Sequence, residues 1–246
     1  MSKYLGKVFS TNGGTSCVIV EYNNSRDLVV EFLDEHSYRL KTQLDNLKKG
    51  KVKNPYSKSI YGVGYMGVGE FKARHNGRKT KEFIFWSGMM SRCYCQKLKE
   101  KHPTYKDCSV CETWHNFQVF AKWVKEHKFN LEGYQLDKDL LVKGNKKYSP
   151  DTCTLVPRRI NTLLSDSAAI RGDFYQGVGW HKSKGKLRAY IKRKGKHIHL
   201  GYFETEEEAS LAAKRGKEEY VKEVVLEWEG KIEDRLFNTL MNWKLT

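Results

Sequence analysis

Apolar and polar residues alternate in three bursts over the first 50 positions of the chain. The bursts run from Ser16 to Tyr22, from Leu28 to Leu33 and from Tyr38 to Leu44. The segments between them, such as Asn23-Asn24-Ser25, consist of polar residues typical of turns. A period of two interrupted by polar turns is the pattern of antiparallel hairpins. Residues 1–70 are therefore predicted to form a small β-rich module with a glycine-rich linker, which is either an auxiliary contact for nucleic acid or protein or a structural cap.

Glycines recur between positions 62 and 69. Gly62, Gly64 and Gly67 match the dinucleotide-binding spacing G-x-G-x-x-G. That spacing has meaning only between a strand and a helix of a βαβ unit, and here the basic, turn-rich sequence FKARHNGRK follows it. The segment is therefore predicted to be a glycine-rich linker or a hairpin.

From Glu82 onward the hydrophobic period becomes that of a helix. Phe85, Met89 and the residues up to Cys93 fit one helical face. The segment from Asn116 to Glu126 has a second such face, which carries Phe117, Phe120, Ala121 and Val124. Apolar residues three and four positions apart predict amphipathic helices.

Four cysteines lie between positions 93 and 111. Cys108 and Cys111 have the C-x-x-C spacing of a zinc knuckle, and Cys93 and Cys95 form a second pair with a single residue between them. Four thiolates of this kind can hold a structural Zn²⁺. The alternative is a set of buried core thiols, because free cysteine is among the most buried residue types. His115 is interpreted as a polar residue at a helix start rather than as a ligand.

The stretch from Gly133 to Ser165 predicts a strand, a loop, a second strand and a helix, in that order. Asp137 and Asp139 follow the first strand, and Asn161 lies on the helix opposite them. Carboxylate and amide oxygens suit one hard divalent cation. The sequence therefore predicts a site for Mg²⁺ or Mn²⁺ formed by these side chains.

Three further strands are predicted near the carboxyl end of the chain. They run from Gly177 to His181, from Leu187 to Arg193 and from Lys196 to Tyr202, with glycine-containing turns between them. Thr205-Glu206-Glu207-Glu208 has the composition of a capping box, and Ala209, Ala212 and Ala213 give the following helix a small apolar face. The prediction is a three-stranded antiparallel sheet with one helix against it.

Alternation along these strands separates a helix-facing side from an open side. Leu187, Ala189 and Ile191 are expected to face the helix, as are Ile198 and Leu200 on the third strand. The open side and the turns carry basic and aromatic residues, and no acid occurs between Phe174 and Leu200. The predicted DNA-binding residues are His181, Lys182, Lys184, Arg188, Tyr190, Lys192, Lys194, His197 and His199. Such a surface suits the DNA major groove, with the turn lysines on phosphates.

Two segments flank this predicted domain. Residues 165–173, SDSAAIRGD, are small and polar and are interpreted as a linker at a domain boundary. The tail from Val221 to Thr246 has apolar residues at Ile232, Leu236, Leu240 and Trp243, which predicts a packing helix. Dimerisation through this helix is the alternative.

The net charge of the chain indicates which kind of partner it binds. Lysine and arginine total 45 against 29 acidic residues, a net charge of +16 over 246 residues. An excess of this size favours a polyanionic partner, most often nucleic acid. No apolar run approaches the ~18 residues of a membrane span, and the N-terminus lacks the apolar core of a signal peptide. We therefore expect a cytoplasmic protein that binds double-stranded DNA and no membrane.

Residues 82–165 resemble the ββα-metal domain of HNH nucleases, especially the phage-encoded homing type. The resemblance rests on LDKD at 136–139, YSPDTCTL at 148–155 and IN at 160–161, and on the preceding RCY, PTYKDCSVCETW and NF segments. It implies that Asp137 and Asn161 hold the metal. Lys138 stands where the family has its general-base His, and Thr152 where it has the Asn that braces the loop. The resemblance then implies that Lys138 with a lowered pKa, or a water oriented by Asp139, acts as the base.

Residues 174–246 resemble an Apetala-two/ethylene-response-factor DNA-binding domain of the kind that phages attach to HNH nucleases. The resemblance rests on GVGWHKSKGKLRAYIKRKGKHIHLGYFETEEEASLAAKRGKEEY. Together the two resemblances imply an α+β protein that is a sequence-selective, metal-dependent DNA endonuclease. A non-catalytic DNA-binding protein with a degenerate HNH core is the alternative, motivated by Lys138 and Thr152. A protein-interaction role of the N-terminal module is a third hypothesis.

Overall fold

Helices and several small sheets occur together in the computed structural model, which describes residues 3–127, 129, 131–164 and 174–245. The α+β prediction is confirmed at that level. The chain divides into two units, the first comprising residues 1–126 and 146–149 and the second comprising residues 127–145 and 150–246. The linker predicted at residues 165–173 lies outside the described residues. Among the described helices, none combines the length and apolarity that crossing a membrane requires.

The first unit begins with a four-stranded antiparallel sheet in the order β1-β2-β3-β4, followed by the short helix α1. The elements are β1 (Val8–Ser10), β2 (Ser16–Asn24), β3 (Asp27–Phe32), β4 (Arg39–Thr42) and α1 (Leu44–Lys48). Cys17, Ile19, Leu28, Val30 and Phe32 form its buried core. The three predicted strands are confirmed within two or three residues. Strand β1 was not predicted, because three residues are too few to display a period of two.

The glycine-rich segment forms a turn packed against a helix. An antiparallel bridge between Ile60 and Gly64 closes the turn, in agreement with the hairpin alternative. A Cβ on Gly64 would approach Met90 Cε to 2.8 Å and the Trp86 ring to 3.0 Å. Gly64 is therefore required for close packing, and the segment does not lie between a strand and a helix of a βαβ unit.

A basic hairpin, three helices and the short strand β7 follow in the first unit. They are β5 (Arg74–His75), β6 (Arg78–Lys79), α2 (Lys81–Tyr94), α3 (Gln96–Lys101), β7 (Ser109–Val110) and α4 (Phe117–Glu126). The predicted face of α4 is confirmed, since Phe117, Phe120, Ala121 and Val124 are all buried. On α2 the buried residues are Trp86, Met89, Met90 and Cys93, while Phe85 is only half-buried. The short strand β9 (Lys147–Tyr148) pairs in parallel with β7.

The second unit contains the predicted strand, loop, strand and helix. Strand β8 (Tyr134–Asp137) pairs antiparallel with β10 (Thr154–Pro157), and α5 (Arg158–Leu164) follows directly. The register sets Asp137 opposite Thr154. All four residues of β10 are buried, so this strand is central to the packing of β8, β10 and α5.

The carboxyl-terminal sheet follows the prediction closely. Its elements are β11 (Val178–His181), β12 (Lys186–Arg193), β13 (Lys196–Phe203) and the long helix α6 (Glu206–Leu226). The Thr205 hydroxyl accepts the Glu208 N–H at 3.3 Å, which caps α6 as expected. Gly216 of α6 lies against Leu200, and a Cβ there would approach Leu200 to 2.8 Å. The helix therefore lies close on the sheet through Gly216 and the buried Ala209 and Ala213.

The packing helix predicted in the tail is confirmed as α7 (Asp234–Met241), whereas Val221, at the start of the tail, lies on α6, which extends to Leu226. Val221, Val224 and Val225 therefore belong to the buried face of α6, whereas Leu236 and Leu240 belong to that of α7. The burial predicted for Ile198 was wrong. Ile198 is 39% exposed rather than buried, since β13 is an edge strand with a neighbour on one side only.

Candidate metal site and nucleic-acid interface

Asp137 ends strand β8 in a geometry that holds its carboxylate. Its Oδ1 accepts the backbone N–H groups of Asp139 at 2.9 Å and Leu140 at 2.8 Å. Burial, followed by the neighbouring Asp139 carboxylate, raises the pKa of Asp137. Ionisation of Asp137 therefore costs more here than in water, and a bound cation would offset that cost.

Asn161 lies on the same side of β8 as Asp137. The Asn161 amide Nδ2, on α5, donates to Gln135 Oε1 at 2.7 Å. Gln135 and Asp137 are two residues apart on the strand, so they share a face at a spacing of about 7 Å. The structure thus brings Asp137 and Asn161 to one surface, and these carboxylate and amide oxygens fit a hard divalent cation. Sequence reasoning missed Gln135, although its position two residues before Asp137 was a usable signal.

Lys138 and Asp139 form an ion pair with each other. Lys138 Nζ donates to Asp139 Oδ2 at 3.0 Å, and Lys138 is only 7% exposed. The Asn145 amide donates to the Lys138 carbonyl at 2.6 Å, which ties the loop to the end of β8. The group predicted as a base, Lys138, and the group predicted to orient a water, Asp139, are therefore engaged with each other.

Arg235 of α7 fastens the loop that precedes β10. Its guanidinium donates to the carbonyl oxygens of Pro150 at 3.1 Å, Asp151 at 3.3 Å and Cys153 at 2.7 Å. It also donates to Glu233, which is paired with His127. Burial opposes ionisation of Glu233, but its hydrogen bonds from His127 and Arg235 outweigh burial and lower its pKa. This loop contains Thr152, which stands where the resemblance described above would place an Asn that braces the loop. Arg235, in the tail, braces the same loop instead.

Replacing Arg235 with alanine should lower the free energy of unfolding of this unit by about 1–2 kcal/mol, a value discounted because the side chain is partly exposed. Arg235→Lys should recover only part of the loss, since one ammonium cannot serve three carbonyls in a fixed fork. Urea denaturation measures the change, with the exposed Asn238→Ala on the same helix as control. An unchanged midpoint for Arg235→Ala would show that the loop needs no brace.

The cysteines predicted as zinc ligands occupy different environments. Cys93 and Cys108 are buried, and the Cys108 thiol lies 3.8 Å from the Thr104 carbonyl. Cys95 and Cys111 are half-exposed, and the Cys111 sulfur lies 3.4 Å from the Thr113 hydroxyl. Within the described ranges, no three His, Cys, Asp or Glu side chains are grouped as a metal site. His115 precedes α4, where it lies 3.1 Å from the Tyr94 hydroxyl.

The open side of the β11-β12-β13 sheet gathers most of the predicted DNA-binding residues. Arg188, Tyr190 and Lys192 alternate with the buried Leu187, Ala189 and Ile191, as expected. Strand pairing sets Tyr190 opposite His199 and Lys192 opposite His197. His181 ends β11, and Lys182, Lys184 and Lys194 lie exposed in the two turns. Among the described residues, none of the predicted lysines and arginines of this surface is paired with a carboxylate.

Aromatic rings and cations are interleaved on this open face. The Arg188 guanidinium lies 5.2 Å from the centre of the Tyr190 ring, and Tyr190 stacks on His197 at 5.0 Å and an interplanar angle of 18°. Lys184 lies 4.5 Å above the ring of Tyr202. These contacts hold the charged groups in place, which reduces the entropy lost when they bind a partner.

Tyr202 belongs to this face, although the sequence did not indicate it. Its ring lies 4.4 Å from that of His199 and 5.0 Å from that of His181. Residues three apart on a regular strand face opposite sides, but a β-bulge interrupts the pairing between Ala189 and Tyr190, and Gly201 takes a φ of 145°. The bulge therefore brings His199 and Tyr202 to the same side. Gly201 was the only feature of the local sequence that indicated this bulge.

Comparisons with known protein families, characterised proteins and solved structures found no match to this chain.

Proposed function

We propose that this protein is a sequence-selective DNA endonuclease that depends on a divalent metal, with the carboxyl-terminal sheet selecting the DNA. The observation that carries the proposal is the open face of the sheet, where the exposed Lys184 and Lys192 and the half-buried Arg188 lie beside stacked Tyr and His rings. Arginine and lysine recognise guanine edges and phosphates, whereas flat rings contact bases and sugars. The net charge of +16 favours the same partner.

The ββα element supports the cleavage part of the proposal. Asp137 and Asn161 would hold the metal, because Asn161 bonds to Gln135, which shares a face of β8 with Asp137, and their oxygens suit a hard divalent cation. When bound, a divalent ion stabilises negative charge on the scissile phosphate and on the leaving oxygen. Arg235 keeps the neighbouring loop in place, and the Asp139 carboxylate, held by Lys138, is the group nearest in sequence to Asp137 that can orient water.

A non-catalytic DNA-binding protein is the second candidate. The ion pair between Lys138 and Asp139 favours it, because the pair engages both the Lys that would act as the base and the carboxylate that would orient a water. On this reading the open face of the sheet has the same role, and the ββα element contacts DNA without hydrolysing it. Both candidates therefore predict DNA binding, and only cleavage separates them.

Incubation of the purified protein with mixed phage and bacterial genomic DNA, with and without Mg²⁺ or Mn²⁺, tests the proposal. We expect discrete fragments that depend on the metal. Intact DNA that is retarded in a gel to the same extent with and without metal would leave the non-catalytic candidate. An absence of both cutting and retardation would contradict both candidates.

Replacing Arg188 or Tyr190 with alanine should weaken binding to the selected DNA by about 10–100-fold, since one base contact or one stacked ring contributes about 1–3 kcal/mol. Fluorescence anisotropy with the cleaved fragment measures the change. Arg215→Ala is the matched control, because Arg215 is exposed on α6, which packs on the other side of the sheet. Equal losses for Arg188→Ala and Arg215→Ala would mean that only net charge matters and that the open face does not read DNA.

A further inference from the structure

The β5–β6 hairpin of the first unit is a separate concentration of positive charge. Between Phe71 and Glu82 the sequence KARHNGRKTK contains five lysines and arginines, one histidine and no acid. These residues are Lys72, Arg74, His75, Arg78, Lys79 and Lys81, and every one of them is exposed. No part of the function proposed above uses this hairpin.

The hairpin is held in shape at its tip. Asn76 and Gly77 take φ values of 48° and 76°, the left-handed pair that a two-residue hairpin turn requires. The Arg74 guanidinium donates to the Gly77 carbonyl at 2.8 Å and closes the turn further. Two short strands with this turn therefore present their cations in a defined arrangement.

Both ends of the hairpin are anchored to helices of the same unit. The Thr80 hydroxyl donates to the Lys72 carbonyl at 2.9 Å and also caps α2 by accepting the Phe83 N–H at 3.3 Å. At the other end, Gln118 of α4 accepts the Phe71 N–H and donates to the Phe71 carbonyl, both at 3.0 Å. A rigid base of this kind lowers the ordering cost when the charges meet a partner.

The positive charges of the hairpin lack acidic partners among the residues that the structure describes. Throughout the described ranges, no carboxylate pairs with Lys72, Arg74, Arg78, Lys79 or Lys81, although ion pairs occur elsewhere in the unit, such as Lys41 with Asp27. Five like charges on ten residues repel one another, and this repulsion is relieved only by an anionic partner or by counterions. Binding is most favourable for a polyanion such as nucleic acid, because it releases its own counterions when the cations bind.

We propose that the β5–β6 hairpin is a second DNA contact, which binds the sugar–phosphate backbone of the duplex independently of sequence. The inference rests on the proposed DNA binding and adds a surface to it. Arginine and lysine on a narrow two-stranded ribbon suit phosphates along a groove, and the exposed tip offers no apolar residue for a protein partner. Two contacts on one chain raise the affinity because the second binds at high effective concentration.

The test uses the full chain with Lys72, Arg78 and Lys79 all changed to glutamine. The matched control changes Lys97, Lys99 and Lys101 of α3 to glutamine, which removes the same charge from the same unit. A third variant, K72R/R78K/K79R, keeps the charge of the hairpin. Binding to a short duplex of arbitrary sequence is measured by fluorescence anisotropy over a series of KCl concentrations, and thermal unfolding verifies that each variant is folded.

We expect the hairpin variant to bind about 10–100-fold more weakly near physiological salt, with a salt slope shallower by about 2–3, or roughly 0.9 for each lost phosphate contact. The charge-preserving variant should bind like the unchanged protein, and the control should lose much less affinity. Equal losses in the hairpin variant and the control would overturn the inference. So would hairpin-dependent binding to phosphatidylglycerol vesicles with DNA affinity unchanged.

The same measurements separate this inference from the proposed function. If the unchanged protein binds no duplex at all, the proposed function fails and takes the inference with it. If Arg188→Ala weakens binding and the hairpin variant equals its control, only the inference fails. If the hairpin variant loses affinity and Arg188→Ala does not, DNA selection by the sheet fails and the hairpin contact stands.

Discussion

Replacing Asp137 with asparagine should abolish metal-dependent DNA cleavage, with a loss of about a thousandfold or more, and leave DNA affinity within about twofold. A metal ligand supplies several kcal/mol of charge stabilisation, and each 1.4 kcal/mol is about tenfold in rate. Asparagine keeps an oxygen at Oδ1, so the hydrogen bonds from the Asp139 and Leu140 N–H groups persist. Only the negative charge is lost.

The same substitution should stabilise the protein at neutral pH in the absence of metal. Burial and Asp139 raise the pKa of Asp137 in the folded state above its unfolded value. For a carboxyl group with a raised pKa, the contribution to stability is complete below the unfolded pKa, about 3.9, and is lost as the pH rises through the folded pKa. Asparagine does not ionise, so Asp137→Asn avoids this loss of stability. Its advantage over the unchanged protein should therefore be present at pH 7 and disappear near pH 3.

Thermal unfolding at several pH values, with and without Mg²⁺, measures both effects. Mg²⁺ should raise the Tm of the unchanged protein and have a smaller effect on Asp137→Asn, since a ligand stabilises the state that binds it. Asp151→Asn, an exposed change of the same kind in the same unit, is the control. Cleavage by Asp137→Asn at the unchanged rate would exclude Asp137 from the site. A Mg²⁺ response equal in both proteins would place the metal elsewhere.

Replacing Trp86 with alanine should lower the free energy of unfolding of the first unit by about 3–5 kcal/mol, the usual cost of removing a large buried aromatic side chain. Trp86 is fully buried, and its ring lies 5.4 Å from that of Phe117. Its Nε1 donates to the Trp114 carbonyl at 2.7 Å, so the substitution also leaves a buried carbonyl without that donor. Gly64, which packs on the ring, would border the resulting cavity.

Urea denaturation of the full chain, with the circular dichroism signal resolved into two transitions, measures this loss. Ile84→Ala is the control on the same helix, because Ile84 is 50% exposed and its replacement should change the stability by less than about 0.5 kcal/mol. A loss below about 1 kcal/mol for Trp86→Ala would show that the α2 and α4 packing does not carry the stability of the unit. Trp86→Ala should also weaken the proposed contact of the β5–β6 hairpin with DNA, since Thr80 joins this hairpin to α2.

Elements built from local signals were predicted well from the sequence. The strands of the carboxyl-terminal sheet begin and end within two residues of their predicted positions, because alternation and glycine turns depend on neighbouring residues only. The buried face of α4 and the cap at Thr205 were also predicted correctly, because both depend on residues a few positions apart in the sequence. The boundary between α6 and α7 was missed, because apolar residues at helical spacing continue across the turn that separates them.

Within the candidate site, residue types were predictable and contacts between distant residues were not. Asp137 and Asn161 were predicted as metal ligands from their places on a strand and a helix, and Asn161 bonds to Gln135, which shares a face of β8 with Asp137. Arg235 braces a loop more than 80 residues earlier in the chain, a contact for which no local pattern exists. Tyr202 joins the open face only because of a bulge, which shifts the alternation that sequence reasoning relies on.

The sequence by itself determined the α+β class, the order of the strands and helices around Asp137, and the composition of a basic surface, since charge and period are properties of the chain alone. Only the tertiary structure decided which charges remain unpaired and which are engaged. Lys138 is paired with Asp139, whereas the cations of the β5–β6 hairpin lack acidic partners in the part of the chain that the structure describes. That difference depends on which side chains the fold brings within about 4 Å of each other, and packing sets those distances.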